Sequence, residues 1–395
     1  MNSLPMHLLD NILFRLDLKS LVMMQCTNRS IKSHISDDPS FEIGYSSRAQ
    51  LSFIYTFSKG APFVFYQPFG SQCESDSYVK TYFSTRGHSY ILGSCSGHLL
   101  LYKSGLYVVN PLTKRFRLLD HSGSMLLATI FNGPKANPER SMCVGFALDQ
   151  TRPKGFKIVC ILEIHATYAF EISDGNSWRF SETIITTDNN SKNELTKRMK
   201  PVYLDGTLHW FRNDGSIIAF NIETEQARLI PSVFHKEPEM KLFFTIDDKI
   251  NRLTLISGTK ETISVYTLMG DTSKWALARQ IENVLLTDGE FEYWNVIAYD
   301  GKHMVVRDKE KDGSTGLAHV YNMEDNRWGG WWAIFCQAKY NLDVFRFTHF
   351  LSCLEDTEVV VDSTDGHLVS IMRLIDTTRT QVNKLHLHMA LQYNR

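Results

Sequence analysis

97-GHLLLYKSGLYVVNPLTKRFRLL-119 is the stretch on which the fold turns. It reads as strand, tight turn at Lys103-Ser104-Gly105, strand, turn at Asn110-Pro111, strand. Short runs of apolar and β-branched residues are each ended by turn formers. The stretch 206-GTLHWFRNDGSIIAFNIETEQARLI-230 has the same plan, with turns at Asn213-Asp214-Gly215 and at Asn221. Asn110, Thr113, Arg117 and Leu118 fall onto Asn221, Thr224, Arg228 and Leu229 without a gap. The chain contains an internal repeat.

Weaker copies of its outer half are 170-FEISDGNSWRFSE-182, 265-VYTLMGDTSKWALAR-279 and 320-VYNMEDNRWGGWW-332. Each is a strand, a polar turn, and a strand starting at or near Trp178, Trp275 or Trp328. Copies end roughly 45 to 65 residues apart, the spacing of four-stranded propeller blades and not of helical solenoids. Phe156 to Ile161, Leu253 to Ile256 and Met304 to Val306 supply inner strands. Val344 to Leu374, with strands at Val359-Val360-Val361 and Leu368 to Leu374, supplies a sixth unit. An early strand, Leu51 to Thr56 or Pro62 to Tyr66, is expected to complete the last blade, because closure removes exposed edges.

Thr186 to Lys200 is polar, lacks strand signal, and is expected to project as a surface loop. The three repeat tryptophans are expected between neighbouring blades. The repeat does not place Trp294, Trp331 or Trp332. Adjacent residues of a strand point to opposite faces, so Trp331 and Trp332 cannot both be buried on one. These three are the candidates for an exposed, target-binding aromatic.

Ahead of the strands, Leu4 to about Phe41 reads as three short helices. Leu4, Leu8, Ile12 and Leu16 recur every fourth residue, flanked by Leu9 and Leu13, and give one broad apolar face. Pro5 suits a first turn. Asp17 is placed to cap a second helix with Leu18, Leu21, Val22 and Met24. Thr27 or Asn28 is placed to cap a third, which Asp37-Asp38-Pro39 ends. So small a unit cannot bury much area alone and needs a neighbour.

Forty-two basic residues nearly cancel forty-three acidic ones, which leaves no overall field to steer the chain onto nucleic acid or an anionic membrane. The basic clusters Lys192 to Lys200 and Lys309 to Lys311 are interspersed with Glu194 and Glu310 and read as solvated loops. No apolar run reaches the roughly 18 residues of a membrane span, and no leader pattern opens the chain. The seven cysteines, Cys26, Cys73, Cys95, Cys143, Cys160, Cys336 and Cys353, show no ligand spacing and are expected as buried free thiols of a reducing compartment, cytoplasm or nucleus. His386 and His388 share a strand face without a third ligand in reach of sequence. Asp247-Asp248 and Glu290/Glu292 read as turn acids. No nucleophile elbow, phosphate loop or zinc-protease motif occurs. Catalysis and a cofactor or metal are not expected.

The opening residues resemble the F-box. Leu4-Pro5, Leu8, Ile12-Leu13, Leu16, Lys19-Ser20-Leu21 and Cys26 occupy its pattern, and Asp38-Pro39-Ser40-Phe41 matches the ending common in plant members. Asp17 replaces the usual proline, and Cys26-Thr27-Asn28-Arg29-Ser30-Ile31 lacks the usual tryptophan. The later repeats resemble the F-box-associated, kelch-like region of the same plant proteins. That resemblance rests on Gly93-Ser94-Cys95-Ser96-Gly97, Val109-Asn110-Pro111-Leu112-Thr113-Lys114, Gly145 to Asp149 and Pro201 to Trp210. It implies a mainly β protein: a three-helix F-box over residues 1–45, then a six-bladed β-propeller over 46–395.

It further implies a non-catalytic substrate receptor of a Skp–cullin–F-box ubiquitin ligase. Leu4, Pro5, Leu8, Ile12, Leu13, Leu16, Leu18, Lys19 and Leu21 would bind the Skp-type adaptor, which bridges to a cullin with its ring-finger subunit. The propeller would bind a target protein. Two alternatives stay open: a sugar- or small-molecule-binding propeller with a helical cap, and an adaptor-binding protein acting outside the ligase.

Overall fold

The computed structural model describes residues 5–45, 52–347 and 358–359, apart from 17, 26, 39, 42–43, 58–60, 69–80, 103–104, 112–114, 132–137, 150–154, 165–166, 188–193, 198, 238, 271–272, 283–290, 311–315 and 335–341.

Three helices open the chain: α1 (Met6–Leu13), α2 (Leu18–Gln25) and α3 (Arg29–Asp37). Asn28 caps α3, its side chain accepting from the Ser30 amide at 2.8 Å. Thr27 instead donates to the Met24 carbonyl at the end of α2. Asp38 is extended and stops α3, as the Asp-Asp-Pro run requires. Asp17, the expected cap of α2, lies outside the described residues.

The strands after them form five sheets among the described residues. Three are plain four-stranded antiparallel meanders: Val202–Leu204 to Ala227–Ile230, Lys241–Asp247 to Lys274–Glu282, and Phe291–Tyr299 to Arg327–Ile334. A fourth runs from Val144–Asp149 to Trp178–Phe180, with Ile185–Thr186 pairing alongside Thr167–Ser173. The remaining sheet has eight strands, so the expected six blades are corrected to five. The cause is Thr81–Cys95, a 15-residue strand. Its first part pairs with Ala61–Pro68 and its last, from Tyr90 to Cys95, with His98–Tyr102, which fuses two ladders into one path.

Six strands touch in sequence round a ring, two of them from the eight-stranded sheet: Thr81–Cys95, Val144–Asp149, Val202–Leu204, Lys241–Asp247, Phe291–Tyr299, then Leu342–Phe347, which returns to Thr81–Cys95. The ring closes through the chain's two halves. Ser52–Phe57 pairs antiparallel with Leu342–Phe347, from Ser52↔Phe347 to Phe57↔Leu342. Val359 pairs elsewhere, with Arg115 on the far edge of the same sheet. Leu368 to Leu374 lies outside the described residues.

The repeat is visible in the turns. Ser96-Gly97 and Asp205-Gly206 both have positive φ (41° and 72°, 46° and 72°), as a two-residue hairpin that follows strand twist demands. At the outer turns, Asn221 accepts from the Glu223 and Thr224 amides and Asn322 from the Glu324 and Asp325 amides. Four residues on, Glu225 and Asn326 are left-handed. Gly215, at φ +89°, has the Phe234 backbone nitrogen 2.3 Å from where a Cβ would sit, so no side chain fits there.

Trp178 donates to the Asp120 carbonyl of the preceding sheet at 2.7 Å, and Trp275 to the Gly215 carbonyl at 3.4 Å. Trp328 packs edge-on against Tyr321 at the cluster that joins the last two sheets. Trp178 and Trp275 thus reach across to a neighbouring sheet, while Trp328 meets its own cross-strand partner. The Thr186 to Lys200 loop departs from expectation. Leu195 bridges Arg212 and is buried in the main core, while the Thr196 amide donates to the Phe211 carbonyl. Its end is therefore pinned to the first meander, because one leucine in a polar stretch finds an apolar socket.

A helix missed in the sequence, α4 (Met125–Phe131), sits between the first two sheets. Its start is held by Glu171, a buried carboxylate from Thr167–Ser173. Glu171 accepts from Ser124 Oγ and from the Met125 and Leu126 amides at 2.8 to 3.2 Å. A buried charge is tolerable there because helix N-terminal amides satisfy it.

Candidate functional site

The opening helices build a core of their own. Leu13, Leu21, Ile35, Phe41 and Tyr45 are buried, with Leu9, Phe14, Leu16, Met24 and Ile31 packed against them. Phe14, Phe41 and Tyr45 rings lie 5.2 to 6.4 Å apart. Among the described residues, all members of this cluster belong to the opening segment and none comes from the strands.

α1 is apolar on two faces. At 3.6 residues per turn, Leu9 and Leu13 point one way, while Pro5, Leu8 and Ile12 gather roughly 90° round the helix. The first pair faces the helical core. The second set faces out: Pro5 is exposed, Leu8 is 42% exposed and Ile12 52%. Met6 at the start of α1, on a different face from the stripe, and Met23 on α2 are also exposed, Met23 at 62%. The structure thus divides the residues the F-box pattern suggests. Pro5, Leu8 and Ile12 form a surface stripe, Leu13 and Leu21 are internal, and Leu16 is half-buried. Leu18 and Lys19 lie on α2, with side chains outside the described set, and Leu4 lies outside it altogether. Met6 and Met23 were not singled out in the sequence, because a methionine adds nothing to a leucine periodicity.

Leu8 and Ile12 stand on one face of one short helix, and fully burying a side chain of that size is worth roughly 1.5 to 3 kcal/mol relative to full exposure. Beneath them, His34 of α3 sits between two carboxylates. Its Nε2 is 2.5 Å from Asp10 Oδ1 and its Nδ1 3.1 Å from Asp38 Oδ2.

On the propeller, Trp331 and Trp332 pair opposite His319 and Ala318 on the outer strand of the last sheet, and Trp294 opposite Asp308 on its inner strand. Their side chains lie outside the described set. Asp247 accepts from the Lys249 and Ile250 amides and from the Tyr299 hydroxyl. Cys95, Cys143 and Cys160 are free and buried. Burial pushes the Cys143 thiol up to about 11, and Cys160 well above its ordinary range, the opposite of a reactive thiolate. Among the described residues no group of three His, Cys, Asp or Glu is placed to hold a metal ion, and no helix is long and apolar enough to cross a membrane. His386 and His388 lie outside them.

Residues 73–327 match the F-box associated beta propeller domain family and residues 1–43 the F-box domain family. A relative from Arabidopsis thaliana classed as an F-box/kelch-repeat protein is 51% identical over 96% of both chains. An F-box protein of the same plant is 61% identical over 73% of this chain and 95% of its own. Among solved structures, TolB from Acinetobacter baumannii is similar at 8% identity and a TM-score of 0.43, over 76% of this chain and 67% of that one. An outward-facing leucine–isoleucine stripe on a self-contained helical unit, followed by a ring of antiparallel sheets, thus coincides with two family matches that together span most of the sequence: the chain belongs to the plant F-box proteins with an F-box-associated β-propeller.

Proposed function

We propose that the chain is the substrate-recognition subunit of a Skp–cullin–F-box ubiquitin ligase. The observation that carries this reading is the exposed stripe of Pro5, Leu8 and Ile12 on a helix whose other face already fills its own core. A Skp-type adaptor buries that stripe and links the chain to a cullin and its ring-finger subunit. The propeller holds a target protein beside the ubiquitin-carrying enzyme, in cytoplasm or nucleus. No chemistry occurs in this chain. Its contribution is proximity, raising the effective concentration of target lysines near the transferring enzyme.

Association costs about 4 to 15 kcal/mol in lost freedom. Leu8 and Ile12, already about half-covered, together return only roughly 1.5 to 3 kcal/mol. Further contacts, with Met6 and Met23 as the exposed apolar candidates, are needed for a tight complex. The reading is tested by mixing the full chain with a Skp-type adaptor, cullin and ring-finger subunit and following co-elution on gel filtration. One four-protein peak supports it; a chain eluting alone from an otherwise assembled ligase rejects it.

A further inference from the structure

Asp10 and His34 stand 24 positions apart in sequence, yet their side chains meet at 2.5 Å. The His34 side chain is only 8% exposed. Its ring lies edge-on to Phe41 with centroids 5.0 Å apart, and its second nitrogen faces Asp38. Asp38 is itself held in place. The Ser40 amide donates to it at 2.9 Å, and that donor keeps its carboxyl below the usual carboxylate range. One ring thus ties α1, α3 and the turn that follows α3 into a single set.

The position of Asp10 matters. It lies between Leu8 and Ile12 along α1, and its carboxylate reaches inward while theirs are the outward side chains. An eight-residue helix does not hold its shape alone in water. Leu13 anchors the C-terminal end of α1 in the core, but from Met6 to Ile12 no side chain is fully buried. The half-buried Leu9 and the Asp10–His34 link are therefore the inward holds on the turns that carry the stripe.

We propose that His34 is a positioning residue for adaptor binding: by gripping Asp10 from inside, it fixes how Leu8 and Ile12 are presented outside. The inference rests on the adaptor-binding reading above. Without the grip the first turns of α1 fray, and the adaptor must order them as it binds, which weakens the complex without removing a contact residue.

The test is calorimetric titration of a purified Skp-type adaptor with the full chain, in four forms: wild type, His34→Leu, Asp10→Ala and the double variant. Each single change is expected to weaken binding roughly tenfold, the size of one hydrogen bond to a charged group. The double variant is expected to bind no worse than either single one, because both remove the same link. That non-additivity assigns the loss to the link, and weakened binding measured well below every variant's melting transition separates presentation of the stripe from loss of fold. Far-UV circular dichroism checks each form, and if His34→Leu loses helix, Asp10→Ala carries the test, since it leaves the ring on Phe41. Wild-type affinity in Asp10→Ala, or losses that simply multiply in the double variant, overturn the proposal and leave the adaptor reading standing. A wild-type chain that does not bind overturns both.

Discussion

The Tyr299 hydroxyl donates to Asp247 Oδ2 at 2.7 Å across the junction of the last two meanders, while Asp247 Oδ1 closes its own turn by accepting from Lys249 and Ile250. One carboxylate thereby shapes a hairpin and joins it to the next sheet. Asn251 repeats the arrangement one sheet back, donating to both oxygens of Asp205 at 3.2 and 3.1 Å. Tyr299→Phe keeps the ring and removes only the donor. It should lower the unfolding free energy by about 1.5 to 3 kcal/mol, the range for a hydrogen bond to a charged group. Urea denaturation with an unchanged slope would register that loss as a lower midpoint.

Glu171 is the second such hinge. Glu171→Gln keeps the size but weakens the acceptor at the start of α4, where Ser124, Met125 and Leu126 all donate. A loss of roughly 1 to 3 kcal/mol is expected. Hydrogen exchange should show the amides of Met125 and Leu126 losing protection first.

Acid should loosen the propeller in a defined window. Burial, as the largest cause, pushes His98 and His209 down to about 4 from an ordinary 6.5. Between those values the unfolded chain binds protons on both rings that the folded chain refuses. Stability therefore falls as pH drops from 6.5 towards 4, and these two rings add no further slope below or above. Each accounts for roughly 3 kcal/mol at most. Melting temperature against pH should fall across this window, and replacing both rings with glutamine should flatten the fall.

Cys143 and Cys160 should resist alkylation in the folded chain at pH 8, since burial raises both thiols. Peptide mapping after iodoacetamide should find them modified only in denaturant.

Much of the propeller could be read from its turns. Asn221 and Asn322 each cap a tight outer turn, and the side-chain chemistry that does so is local. The fused first sheet could not be read, because Thr81–Cys95 runs through Gly87-His88-Ser89, which looks like a turn. Long-range pairing with Ala61–Pro68 overrides that local signal. The opening helices show the same division. Their apolar period was plain, but it serves two purposes at once. Leu13 and Leu21 fill the helical core and Leu8 and Ile12 remain outside. Period alone cannot separate an internal face from one kept for a partner. The His34–Asp10 contact was hidden for a simpler reason: 24 residues separate its members.

That division gives the account its most direct measurement, adaptor affinity and melting temperature determined together on two pairs of variants. For Leu8→Asp with Ile12→Asp, the account predicts a melting temperature close to wild type and no measurable adaptor binding. For Leu13→Asp or Leu21→Asp it predicts loss of the helical unit itself, as expected of an unpaired charge placed in a core. Full adaptor affinity in the Leu8/Ile12 double variant, with its helices intact, would contradict the account.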